Sequence, residues 1–246
     1  MASSLPSPPV STPVSTPVSS ASPPLNGDIV STVLPPARRS PLRPGSQKEI
    51  SLLFYLDNQT RRIQRRYGKK FPEFEEADDD APGYTSIDQV VEDIDPLLDL
   101  AWISGTPSIQ VQYLLALAGT LVSYMPAFPF SPTVFRILTK FDEAFVTLAQ
   151  TPPPNIGGRA PVSMTDKVRI KSLAANARVT VVNCVTASSS STTATQDDWS
   201  DEEDETSDGE ASGPGTTECG DDVDSNIGRV FEKTVEALGD GLPSSA

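Results

Sequence analysis

The densest chemistry in this chain is a run of six cations within ten residues. Arg61, Arg62, Arg65, Arg66, Lys69 and Lys70 follow one another with no acid between them. On a helix, positions 61/65/69 and 62/66/70 form two adjacent rows, which concentrates the positive charge. Three partners suit such rows: a nuclear import receptor, a nucleic-acid backbone, or the chain's own acids at Glu73, Glu75, Glu76, Asp78, Asp79 and Asp80 acting as an internal brace. Import and the internal brace are favoured over direct nucleic-acid contact. Lys167, Arg169, Lys171 and Arg178 would join the basic run if nucleic acid were the ligand.

Phosphoryl acceptors are the second chemistry. Ser7, Thr12, Thr16, Ser22 and Ser40 each precede a proline, and Ser40-Pro41-Leu42-Arg43 adds the basic residue that cyclin-dependent kinases favour. Ser200 and Ser207 each have an acid three residues downstream, as acidophilic kinases prefer. Added phosphate would change partner binding; the competing reading is a pair of solvated tails.

Catalysis finds no support. The chain has no histidine, which removes the commonest general base and imidazole metal ligand. There is no Gly-rich phosphate loop, and Gly157-Gly158 sits in a proline-rich stretch. Asp93 and Asp95 are an acid–base pair in principle, but they belong to an acid-rich surface stretch. Cys184 and Cys219 stand far apart; they suit a reducing compartment and cannot build a zinc site. The expectation is no enzyme, no cofactor and no metal.

Charge is segregated along the 246 residues. The net charge is -14, yet residues 71–99 hold eleven acids and no base, and residues 197–224 hold thirteen acids and no base. The N-terminus lacks the charge and the apolar run of a secretory signal. Residues 1–46, rich in Pro and Ser, and residues 187–224, rich in Ser, Thr and acid, read as disordered because they offer little apolar surface to bury.

Between them the periodicity predicts an all-α fold: a small bundle of about four to five helices over 47–186, flanked by the long disordered segments. The predicted helices cover 47–68, 86–103, 107–124, 132–149 and 165–185. An amphipathic C-terminal helix follows over 225–239. The bundle is organised around 107–124, apolar on nearly every face and therefore enclosed by its neighbours. Ser46 with Glu49, and Ser86 with Gln89, read as capping boxes, and Thr106 and Thr165 as further caps. Asp95-Pro96 implies a kink or a fresh helix. The segment 179–185 is open between helix and β-strand, and its Val179, Val181 and Val182 also fit a SUMO-interacting pattern; the core-helix reading is preferred. Residues 100–135 carry no charge and are long enough to span a bilayer, but Gln110, Gln112, Thr120, Ser123 and three prolines favour a soluble core.

The sequence therefore points to a non-enzymatic nuclear adaptor or regulatory subunit that binds a protein partner, of unknown identity, through its helical domain. The alternative is a nucleic-acid-binding protein using 61–70. A nuclear location is expected, with the cytoplasm as the alternative, and no membrane.

Overall fold

In a computed structural model, which describes residues 33–71, 81–150, 162–193 and 219–239, the spacing of apolar residues becomes seven α-helices. They are α1 (Gln47–Gly68), α2 (Ile87–Ile103), α3 (Pro107–Tyr124), α4 (Thr133–Gln150), α5 (Met164–Thr193), α6 (Cys219–Arg229) and α7 (Glu232–Gly239). Among the described residues there is no strand. All of them fall in one unit, Ser31–Ala246.

The layout follows from which helices have an apolar stripe and which have two. Val134, Phe135, Leu138, Phe141, Ala144, Phe145 and Leu148 of α4 are all buried, as the i, i+3, i+4 rule requires of one face. Beneath them lie Val90, Val91, Ile94, Leu97, Leu98 and Ala101 of α2. The enclosed helix is α3, where Ile109, Leu114, Leu117, Ala118 and Leu121 have almost no exposure. It is not apolar all round: Ser108, Gln112, Ala116 and Ser123 leave a narrow exposed strip. Thr106-Pro107 starts it, but the Thr106 hydroxyl makes no cap bond.

Three expectations change in this region. Of the two outcomes expected at Asp95-Pro96 the fresh helix is overturned, since α2 continues through Pro96. Asp95 is instead drawn to α4, where the Lys140 ammonium lies 2.6 Å from it and 2.7 Å from Asp99. Ser86 makes no cap bond; Gln89 Oε1 accepts the Thr85 N–H at 3.0 Å. In α1 the Ser46 hydroxyl does accept the Glu49 N–H, but the Glu49 carboxylate takes the Gly45 N–H rather than that of Ser46. Pro41–Arg43 and Gly45 lead directly into this start.

The segment 179–185 is helical, inside α5. Its cap is Ser163, which accepts the Asp166 N–H at 3.1 Å, so Thr165 is within the helix. The helix reaches Thr193, eight residues past the expected end. The low-complexity stretch expected to be disordered from 187 is thus helical over its first turns, where Ser188 donates to Cys184 O and Ser189 to Val185 O.

The expected helix over 225–239 is two helices. The chain breaks at Val230 and Phe231, where Phe231 has φ 51°, a left-handed conformation that an L residue adopts only under tertiary constraint. The constraint is burial: Phe231 is fully enclosed with its ring 6.0 Å from that of Phe145. Asp142 of α4 then accepts the Thr234 N–H at 2.8 Å, so α7 is capped by another helix.

Residues 33–46, expected to be disordered, instead form an irregular strap, bent at Arg39–Ser40 and turned at Pro44–Gly45. Trp102 Nε1 donates to Pro35 O at 2.9 Å, Arg38 N to Ile103 O at 3.2 Å, and Leu42 N to Thr106 Oγ1 at 2.9 Å. Leu42 itself is buried. Proline lacks a donor but keeps its carbonyl, so a Pro-rich strap can still be held through acceptors.

Candidate protein-interaction surface

The six cations at and just beyond the end of α1, four within it and Lys69 and Lys70 after it, do not form one patch. Arg66 donates to Asp93 and to Pro82 O, and its guanidinium lies 4.2 Å over the Tyr84 ring. Lys69 donates to Ala81 O at 2.8 Å, and Lys70 lies 4.3 Å over the Phe128 ring. These three tie the end of α1 to α2 and to the turn after α3. Arg61, Arg62 and Arg65 are exposed. The acid that meets Arg66 is Asp93 on α2, while the run Glu73–Asp80 lies outside the described residues. Asp93 also accepts the Tyr84 hydroxyl at 2.6 Å. Burial, and then that hydrogen bond, pushes the Tyr84 phenol far above its ordinary range.

Asp93 and Asp95 are therefore not an acid–base pair, since each answers its own cation. Among the described residues no group of three or more His, Cys, Asp or Glu could hold a metal ion. No helix among them is long and apolar enough to cross a membrane. Ser40 is exposed on the strap; Ser200 and Ser207 lie outside the described residues.

Exposed apolar surface is concentrated on α1 and α5. In α1 Ile50 and Phe54 are 51% and 66% exposed, while Leu56 and Ile63 are buried. Only one side of α1 meets α2 and α3. In α5, Val168 is 51% exposed and lies off the core. The core stripe is Ile170, Ala174, Ala177, Val181 and Cys184, at the spacing of one helical face. A second stripe runs along the opposite side: Met164, Val168, Ala175, Val179 and Val182, with Val179 59% and Val182 44% exposed. Ser172 and Thr186 fill the same line, whose members are all uncharged, and the half-buried Lys171 flanks it. From Met164 to Val182 it is about 27 Å long at 1.5 Å per residue. Of the α5 cations, Arg169 pairs with Asp166, and Arg178 reaches Gly228 O at the end of α6.

This second stripe was missed because the two faces were read as one. The signal was available: apolar residues at 168, 175, 179 and 182 keep their own helical register beside 170, 174, 177, 181 and 184.

A comparison with known protein families matches residues 83–239 to TFB6, subunit 11 of the general transcription factor TFIIH. The chain belongs to the TFB6 family. Membership implies a nuclear protein and a subunit of a multiprotein complex. The match begins at Gly83, so α2–α7, with both stripes of α5, lie inside it, and α1 precedes it. No curated protein and no solved structure matches the chain.

Proposed function

We propose that this chain is a non-enzymatic subunit of TFIIH that uses its helical domain to hold another TFIIH component. The observation that carries the reading is the outer stripe of α5. It is uncharged, uncovered and narrow, built from small and β-branched residues that let a second helix approach closely. It lies within the residues that match the TFB6 family. A helix laid along it would bury Val168, Val179 and Val182, each contributing about 1.5–3 kcal/mol when fully enclosed.

The test is reconstitution of purified TFIIH with the full chain carrying Val179→Asp and Val182→Asp. Both side chains point to solvent, so the melting temperature should be unchanged while co-elution with the complex is lost. Retained co-elution at wild-type stoichiometry overturns the reading.

The exposed Arg61, Arg62 and Arg65 support a second reading, direct contact with nucleic acid. It requires affinity for a duplex to fall steeply with salt, whereas association through an apolar helix face responds little.

A further inference from the structure

Three Ser/Thr-Pro pairs lie among the described residues, at Ser40, Thr106 and Ser131; Ser40 is the exposed one, and the fold treats it in a specific way. Its side chain is exposed, but the backbone on both sides is engaged. Arg38 N donates to Ile103 O, and Leu42 N donates to Thr106 Oγ1. Leu42, two residues after Ser40, is buried. Upstream, Pro35 O is held by Trp102 Nε1.

The seat for this strap is the corner between α2 and α3. It works only because position 105 is glycine. Gly105 has φ +62°, and a Cβ there would stand 2.6 Å from Arg38 O and 3.0 Å from Arg38 Cβ. The corner thus meets two demands that a side chain would defeat, a left-handed turn and a close backbone approach.

A kinase that phosphorylates Ser-Pro grips its substrate as an extended chain around the acceptor. The docked strap instead bends at Arg39 and Ser40, and the donors at 38 and 42 and the Leu42 side chain are engaged by the domain. We propose that Ser40 is a phosphorylation site for a proline-directed kinase and that docking of residues 33–46 on the α2–α3 corner shields it. The γ-phosphoryl group of ATP passes to Ser40 Oγ, the hydroxyl proton goes to the kinase's base, and ADP leaves. The strap must lift first, so the rate scales with the undocked fraction. A strap undocked about one-tenth of the time is phosphorylated about tenfold more slowly than the free segment. Whatever displaces the strap thereby opens the site.

The full chain carries its own reference sites, because Ser7, Thr12, Thr16 and Ser22 also precede proline. Full-length protein is incubated with a cyclin-dependent kinase and ATP, and the initial rate at each site is read by mass spectrometry. A synthetic peptide of residues 34–46 gives the unshielded rate for Ser40. Two variants release the strap: Gly105→Asn, which keeps a residue tolerant of left-handed backbone but adds the obstructing Cβ, and Thr106→Val, which removes the acceptor for Leu42 N. The expected result is slow Ser40 phosphorylation in the wild type relative to the peptide, and a rise of at least about fivefold in the variants with the reference sites unmoved. If Gly105→Asn lowers the melting temperature of the whole domain, Thr106→Val decides. Equal rates in wild-type protein and peptide overturn the shielding. So do rates that are slow in the wild type and unchanged in the variants, and a peptide that is not phosphorylated overturns Ser40 as a site.

Discussion

The Lys140 ammonium, with 1% of its side chain exposed, lies 2.6 Å from the Asp95 carboxylate and joins the fourth helix to the second. Asp99, one turn on, is 2.7 Å from the same nitrogen. One buried cation thus serves two carboxylates, and burial pushes the Asp99 carboxyl above its ordinary range despite the ammonium beside it.

Lys140→Met should cost about 3–5 kcal/mol at neutral pH, because it leaves charges without their partner in a shielded place. Burial already raises the Asp99 carboxyl, and loss of the ammonium that opposes this would raise it further. Its contribution to stability is fully present below the unfolded carboxylate pKa and is lost as pH rises through the folded one. The deficit of the variant relative to wild type should therefore shrink on acidification from pH 7 to pH 4. Urea unfolding at several pH values measures it; a deficit independent of pH would exclude the ion triad as the cause.

Tyr84 and Tyr113 make an alkaline prediction. Each donates its hydroxyl at 2.6 Å to a carboxylate, Asp93 and Asp57 respectively. Burial, then the hydrogen bond, raises both phenols above their ordinary value. A raised folded pKa gives stability that is complete below the unfolded phenol pKa of about 10 and falls as pH climbs beyond it. The domain should lose stability above pH 10, and Tyr84→Phe should lessen the loss. Absorbance near 295 nm follows phenolate formation; ionisation of all five tyrosines below unfolding would show that these two are not held.

The cations of the first helix separate into two experiments. Replacing Arg61, Arg62 and Arg65 with Ala should leave the melting temperature within a degree or two and, if the exposed trio is the import signal, shift a fluorescent fusion from nucleus to cytoplasm. Arg66→Ala should instead cost about 1–3 kcal/mol, the range for hydrogen bonds to charged groups, because Asp93 loses its cation and Tyr84 its guanidinium cover. A fusion that stays nuclear in the triple variant would move the import signal elsewhere in the chain.

What was readable in the sequence depended on how local the cause was. Val134, Phe135, Leu138, Phe141, Ala144, Phe145 and Leu148 declare the buried face of α4 through spacing alone, and the all-α architecture follows from such stripes. Lys140 sits on the same helix and reads as solvated, because its partners are on another helix 45 and 41 residues earlier. Ile50 and Phe54 show the reverse: their period is helical, but no period says how much of a face the neighbours cover. The strap was illegible for a third reason. Its residues are a poor core by composition, and they are held through backbone groups at a corner that Gly105 keeps open. The candidate surface on α5 lay between these cases, visible in the register of Val168, Val179 and Val182 but hidden by a reading that assigned one face per helix.

The cap that Asp142 gives to Thr234 closes a separation of 92 residues. During synthesis at about 5–20 residues per second, α4 leaves the ribosome several seconds or more before α7 exists. Through that interval the groove that will hold Phe231, Thr234 and Leu238 stands open, with the ring of Phe145 at its floor. The newborn chain is thus an incomplete bundle with an aromatic cleft. A chaperone or an assembling partner that arrives early meets a different surface from the one the finished protein presents.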